Sequence, residues 1–125
     1  MNLESLGQAT IKNMQAEADP TGLSPHDPGA KLDQGKPDLS LLLMMGNALT
    51  AVAELGTFGA TKYSRGGFLE VDDGVNRYTA ALLRHLMKEN YETIDPDSEL
   101  PHAVAVAWNA LARLEFILRE LKDGS

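Results

Sequence analysis

A chain of 125 residues with a formal charge of −7 has the length of one domain and is long enough to bury a core of ordinary proportions. It has no cysteine, which excludes disulfides, zinc-thiolate centres and thiol nucleophiles. Its acidity disfavours a long polyanion such as duplex nucleic acid as a partner. A small phosphate ligand stays compatible, because a metal ion and a few local cations can reverse the local field.

No run approaches the roughly 18 continuous apolar residues of a membrane span. The N-terminal MNLESLGQAT lacks the charged-then-apolar pattern of a signal sequence. Together these features predict a soluble, cytoplasmic protein with neither nucleic acid nor membrane as a partner.

Residues 1–30 read as an N-terminal arm or linker, and residues 31–125 as the domain. A weak polar helix is expected over Leu3 to Ala18, with Ile11 and Met14 at helical spacing. The following DPTGLSPHDPGA breaks regular structure with three prolines and two glycines. His26, in that stretch, reads as a solvated loop residue. Lys31 to Ser40 is a loop in which Asp38 or Ser40 can cap the next helix. Its Lys31 and Lys36 can meet phosphate or simply add solubility.

Leu39 to Phe58 is the first strong helix. It is apolar around much of its circumference, which predicts a central position or cover on two sides. Asn47, Thr50 and Glu54 form its polar strip, facing either water or a site. Gly59 suits a C-cap. Ala60 to Gly74, with Lys62, Tyr63, Arg65 and paired glycines, has the composition of a mobile loop that covers a ligand. Val75 to Tyr91 is the second helix. Val75, Thr79, Leu82, Leu83, Leu86 and Met87 fall on one face, and Tyr78, His85 and Glu92 recur every seven residues on another. Asp95-Pro96-Asp97 stops that helix. Ser98 to Lys122 is the third, capped near Ser98 or Glu99 with Pro101 in its first turn. Its apolar stripe runs from Ala103 through Val106, Ala110 and Leu114 to Leu121, with His102, Asn109 and Arg113 along the edge. Trp108 points beyond the stripe and suggests a subunit contact.

The expected fold is therefore all-α: a bundle of three main helices plus the weak N-terminal one, completed by oligomerisation into a homo-dimer or tetramer. The bend between the second and third helices gathers His85, Glu92, Asp95 and His102. These are side-chain types that hold a hard or borderline divalent cation, with Glu54 as a further candidate ligand. Carboxylates favour magnesium or manganese, and histidine tilts the preference toward manganese, zinc or cobalt. Each of the four also has a plain structural role open to it. His85 can bond a backbone carbonyl, Glu92 and Asp95 can cap turns, and His102 can sit in a first helical turn. No P-loop glycine-lysine motif and no GxSxG elbow is present.

Five motifs occur in order: K-x-D-x-G-K-P at Lys31–Pro37, G-A-x-K-Y at Gly59–Tyr63, R-Y-x-x-A-x-x-R-H at Arg77–His85, E-x-x-D at Glu92–Asp95, and H-A-x-x-x-x-W-N at His102–Asn109. With them the chain from about Lys31 to Leu118 resembles the phage dATP/dGTP diphosphohydrolase family. That family includes MazZ-type enzymes and is related to the MazG-like all-α NTP pyrophosphohydrolases. The resemblance implies hydrolysis of a purine deoxynucleoside triphosphate to monophosphate and pyrophosphate with Mg2+ (or Mn2+), in phage nucleotide metabolism and hence in the host cytoplasm. It places His85, Glu92, Asp95 and His102 on the metal side as catalytic groups. Lys31, Lys36, Lys62, Tyr63, Arg84 and Asn109 fall toward the nucleotide. The MazG signature E-E-x-x-E is absent, and Arg84-His85-x-x-Lys88 stands in its place. The alternative reading is a non-catalytic helical module that binds a nucleotide or a partner.

Overall fold

The computed structural model describes residues 17–124. Most of the N-terminal helix expected over Leu3 to Ala18 lies outside the described residues. Three α-helices carry the fold: α1 (Gly46–Lys62), α2 (Gly74–Lys88) and α3 (His102–Asp123), with short 3-10 segments at Leu39–Met45 and Gly67–Glu70. Among the described residues the strand-like pairing is one isolated antiparallel bridge, Ile94 to Pro101. The expected all-α class and the three helices are both present.

The chain divides into two compact units, one built from its ends and one spanning Leu41–Arg119. In the first, the segment read as an arm or linker is closed on itself by Asp19. This buried carboxylate accepts bonds from the Thr21 hydroxyl, the Thr21 backbone N–H and, at 2.7 Å, the Lys31 backbone N–H. Those bonds hold its pKa below the usual carboxylate value. Lys36 pairs with Glu17 at 3.1 Å, and His26 is exposed as expected.

Asp38 caps the apolar run that follows, its carboxylate accepting from the Ser40 backbone N–H at 3.0 Å. The run is not one α-helix. Leu39–Met45 is wound as 3-10, and α1 passes through Gly59 to end at Lys62. The expected central position is overturned, because neither the 3-10 segment nor α1 contains a buried residue. By length and composition Leu39–Lys62 is apolar enough to cross a membrane. Its C-terminal half is nevertheless held in the bundle. Trp108 of α3 lies against Gly56, where an added Cβ would stand 2.7 Å from the indole Cζ3. Phe68 meets the same ring system edge-on, with centroids 5.0 Å apart. Trp108 therefore binds elements within one chain, where a subunit contact was expected. It also anchors the 60–74 segment, which forms a 3-10 turn secured further by the Tyr78 hydroxyl donating to the Phe68 carbonyl at 3.1 Å.

α2 and α3 turn inward part of the faces expected, together with residues that were not. On α2 the inward residues include Gly74, Tyr78, Ala81 and His85 beside Val75, Thr79 and Leu82 of the expected stripe, while its Leu83, Leu86 and Met87 are exposed. On α3 the buried line is His102, Ala105, Asn109 and Ala112, with Val104 beside it; of the expected stripe Val106, Ala110, Ile117, Leu118 and Leu121 are half-buried, and Ala103 and Leu114 face out. Small residues on this line let the helices approach closely. Gly74 sits under the Phe116 ring, where a Cβ would stand 2.7 Å from it, and Phe116 stacks on Tyr78 at 5.8 Å. Arg113 donates to the Thr79 hydroxyl at 2.8 Å across the same seam. Among the described residues the buried positions of Leu41–Arg119 are thus polar or small apart from Val104, aromatic side chains pack around them, and several large aliphatic side chains point away.

Candidate metal centre

α2 stops at Lys88, earlier than the expected Tyr91. The Asn90 amide donates to the Met87 carbonyl, an alternative to the helical ladder that asparagine commonly offers. Glu92 is therefore not two helical turns along α2 from His85. It is placed by the turn that follows, its backbone N–H donating to the Lys88 carbonyl at 2.9 Å. The chain then doubles back. The His102 N–H donates to the Thr93 carbonyl at 2.9 Å, and the Asp95 N–H donates to the Leu100 carbonyl at 2.8 Å. Closing this loop takes Glu99 into the left-handed region at φ 64°. α3 begins at His102, so Pro101 precedes the helix and Ser98 and Glu99 lie in the loop rather than at its cap.

This loop brings three side chains together. One ligand atom each from His85, Asp95 and His102 lies within 4.8 Å of the others. The two imidazoles meet through Nδ1 atoms 2.8 Å apart. One carboxylate oxygen of Asp95 accepts from the Asp97 backbone N–H at 3.1 Å, which fixes the side chain in its turn. His102 is 0 % exposed, and its other ring nitrogen, Nε2, lies 2.9 Å from Glu92 Oε2. Burial lowers the pKa of His85, opposed by the nearby Asp95 and assisted by His102, Lys88 and Arg84, so its ring is held toward the neutral form.

Nearest ligand atoms of an octahedral ion with bonds of about 2.1 Å stand about 3 Å apart. The 2.8 Å separation of the two Nδ1 atoms fits that spacing. The donor set of two imidazoles and one carboxylate suits a borderline cation such as manganese, zinc or cobalt better than magnesium. Glu92 stands on the far edge of the His102 ring and is not among the three converging groups. Glu54 is exposed on α1 and also stands outside the cluster.

A cavity of about 1060 Å³ opens beside the cluster, and His85 and Asp95 line it. Lys62, Tyr63, Arg84 and Asn109 line it as well. Lys62 is held at 2.8 Å by Asp97, and that bond keeps its pKa above the usual lysine value. Asn109 is fixed by donating to the Ala105 carbonyl at 2.7 Å. Lys31 and Lys36 are not among the lining residues. Residue spacing alone does not point to Asp97, Phe68, Arg77 or Trp108, yet all four line the same cavity. The aromatic residues around the G-A-x-K-Y motif were the available signal.

The sequence pattern of the family described as dATP/dGTP diphosphohydrolase, N-terminal, matches residues 26–124. The chain belongs to this family. No curated protein and no solved structure matches it. Membership in the diphosphohydrolase family agrees with the resemblance read from the five motifs, all of which fall inside the matched residues.

Proposed function

We propose that this protein hydrolyses purine deoxynucleoside triphosphates, dGTP or dATP, to the monophosphate and pyrophosphate, with a divalent cation held by His85, Asp95 and His102. The observation that carries this reading is that one cavity joins the cluster to cations and aromatic walls. His85 and Asp95 lie on its lining with Lys62, Arg84 and Trp108. A triphosphate needs positive charge along its oxygens, and a purine needs a π-face to stack on. Family membership supports the substrate class.

A cation bound there would polarise a phosphoryl oxygen and make a bound water more acidic. The protein's own groups do the rest. Lys62 and Arg84 offset charge on the departing pyrophosphate, and Trp108 and Phe68 provide a stacking wall. Asn109, pinned through its amide to α3, presents a fixed polar group. Water adds its oxygen to the α-phosphorus, the bond to the bridging oxygen breaks, pyrophosphate leaves with the electron pair, and the water's proton passes to solvent. The donor set favours Mn2+ over Mg2+ as the activating ion. The test is incubation with dGTP, dATP and dCTP in Mn2+ or Mg2+, with products resolved by chromatography. Release of orthophosphate in place of pyrophosphate, or no turnover of any nucleotide, would overturn the reading.

A second copy of the chain is the partner we assign to the outward aliphatic surface. Leu43 and Met44 before α1, and Leu83 and Met87 on α2, are all more than half exposed. A membrane is the weaker occupant, because Asn47, Thr50 and Glu54 lie along the same helix and an unpaired carboxylate is costly within lipid.

A further inference from the structure

His102 is the one large side chain that is wholly buried among the described residues, and each of its ring nitrogens has a single partner. Nε2 faces Glu92 Oε2 at 2.9 Å, and Nδ1 faces His85 Nδ1 at 2.8 Å. An ionised carboxylate only accepts, so Nε2 must carry the proton. In the neutral form of His102 that is the ring's one proton, and its Nδ1 is bare. Two Nδ1 atoms at hydrogen-bond distance cannot both be bare or both be protonated. Without a cation, and with both rings neutral, His85 therefore donates from its own Nδ1.

We propose that Glu92 is the positioning residue of this centre: its carboxylate fixes His102 as the Nε2–H tautomer and so presents the bare Nδ1 of His102, beside Nδ1 of His85, to one shared cation. The inference rests on the metal reading above and assigns Glu92 a different place from a ligand. Glu92 lies on the opposite edge of the ring from the convergence point, so a cation between the two Nδ1 atoms is beyond its reach through that contact. The backbone explains how it is held. Only one peptide link separates Glu92 from Thr93, whose carbonyl accepts the His102 N–H, so acid and imidazole are registered by the same pairing. Histidine ligands commonly donate their second nitrogen to a carboxylate, which sets the tautomer and raises the basicity of the ligating atom. A cation held by Nδ1 of a neutral His85 would require that ring's proton on Nε2, so the ring would release no net proton.

The test uses the full chain labelled with 15N-histidine, freed of metal, with ring tautomers read from long-range 15N–1H correlations. Zn2+ serves as the diamagnetic probe, and its affinity is measured by calorimetry. The expected result is His102 as Nε2–H with and without Zn2+, and His85 changing from Nδ1–H to Nε2–H on addition. Glu92→Gln still accepts through its side-chain carbonyl, so it keeps the His102 tautomer and binds Zn2+ within a few-fold of wild type. Glu92→Ala loses the tautomer preference and weakens Zn2+ by about 10- to 100-fold. An Nδ1–H tautomer at His102 overturns the proposal, as does a Glu92→Ala protein with unchanged spectra and affinity. Loss of Zn2+ binding in Glu92→Gln as complete as in Asp95→Ala would make Glu92 a ligand and overturn it equally. If wild-type protein binds neither Zn2+ nor Mn2+, the metal reading falls, and the metal-free spectra alone decide whether Glu92 holds His102.

Discussion

Trp108 occupies the space that any side chain at Gly56 would need, since a Cβ there would stand 2.7 Å from Cζ3 and 3.1 Å from Cη2 of the indole. The contact joins α1 to α3 and forms part of the cavity wall. Gly56→Ala gains roughly 1 kcal/mol in helix propensity. It loses about 1–3 kcal/mol to overpacking, because the indole, which also meets Phe68 edge-on, must shift to admit the Cβ. The expected net is a modest loss of stability with a shifted emission from the only tryptophan. Thermal unfolding and fluorescence check both. A Gly56→Ala protein more stable than wild type with unchanged emission would show that the ring does not rest there.

The helical class could be read from the 3.6-residue periodicity, and Pro96 marks the break between the last two helices, because neither signal depends on what packs where. The inward faces could not be read that way. Periodicity assigns Leu83, Leu86 and Met87 to the core along with Val75 and Leu82, yet those three point out while Tyr78 and His85 point in. A stripe of leucines says that something covers it, without saying whether the cover comes from the same chain. The two-turn spacing of His85 and Glu92 requires a helix that runs on past His85. It ends at Lys88, and Glu92 reaches His102 through the Thr93–His102 pairing, which no local pattern announces. The approach of two Nδ1 atoms from residues seventeen positions apart depends on that same turn.

His85 ties stability to pH. Burial lowers its pKa below 6.5, the ordinary value, against the pull of Asp95 and with help from His102, Lys88 and Arg84. The unfolded chain then binds a proton more readily than the folded one, so stability rises with pH through this window. In chelator-treated protein the His85 contribution is fully present above about 6.5 and is lost as pH falls through the folded pKa. Unfolding midpoints between pH 4.5 and 7.5 measure this slope. His85→Gln should flatten it, and an equally steep slope in that variant would assign the effect to other groups.

The cluster and the more distant acid should respond differently to substitution. Asp95→Ala and His102→Ala each remove one of the three converging atoms. A bound cation contributes several kcal/mol to phosphoryl-transfer chemistry, so each loss should lower kcat/KM by at least about 100-fold. Mn2+ binding, followed by electron paramagnetic resonance, should weaken in parallel. Glu54→Ala alters an exposed side chain outside the cluster and should leave both readings near wild type. A Glu54 variant as damaged as Asp95→Ala would redraw the site.

The outward aliphatic rows predict assembly. Leu43 is 77 % and Met44 83 % exposed, in a helical run with no buried residue. Single monomers seldom leave a contiguous apolar patch of such length uncovered. Light scattering should show a dimer or tetramer of the 13.5 kDa chain. Leu43→Glu with Met44→Glu should shift it to monomer while keeping helical circular dichroism. A monomeric wild type that binds lipid vesicles would instead assign the surface to a membrane.

Lys62 faces a choice between Asp97 and an incoming phosphate. Its ammonium lies 2.8 Å from the carboxylate and within 5.7 Å of the Phe58 ring and 5.3 Å of the Tyr63 ring centroid, on the cavity wall. Both partners of the ion pair are substantially exposed, so the pair itself adds little to stability. Its removal should be felt by the substrate instead. Lys62→Ala should raise KM for the triphosphate by about tenfold, the loss of one charge-assisted hydrogen bond of roughly 1.5 kcal/mol. Asp97→Asn frees the ammonium while keeping the lysine protonated, and it should lower KM. Steady-state kinetics on both variants decide the matter. If Asp97→Asn raises KM as much as Lys62→Ala does, Asp97 positions the lysine for phosphate instead of competing for it.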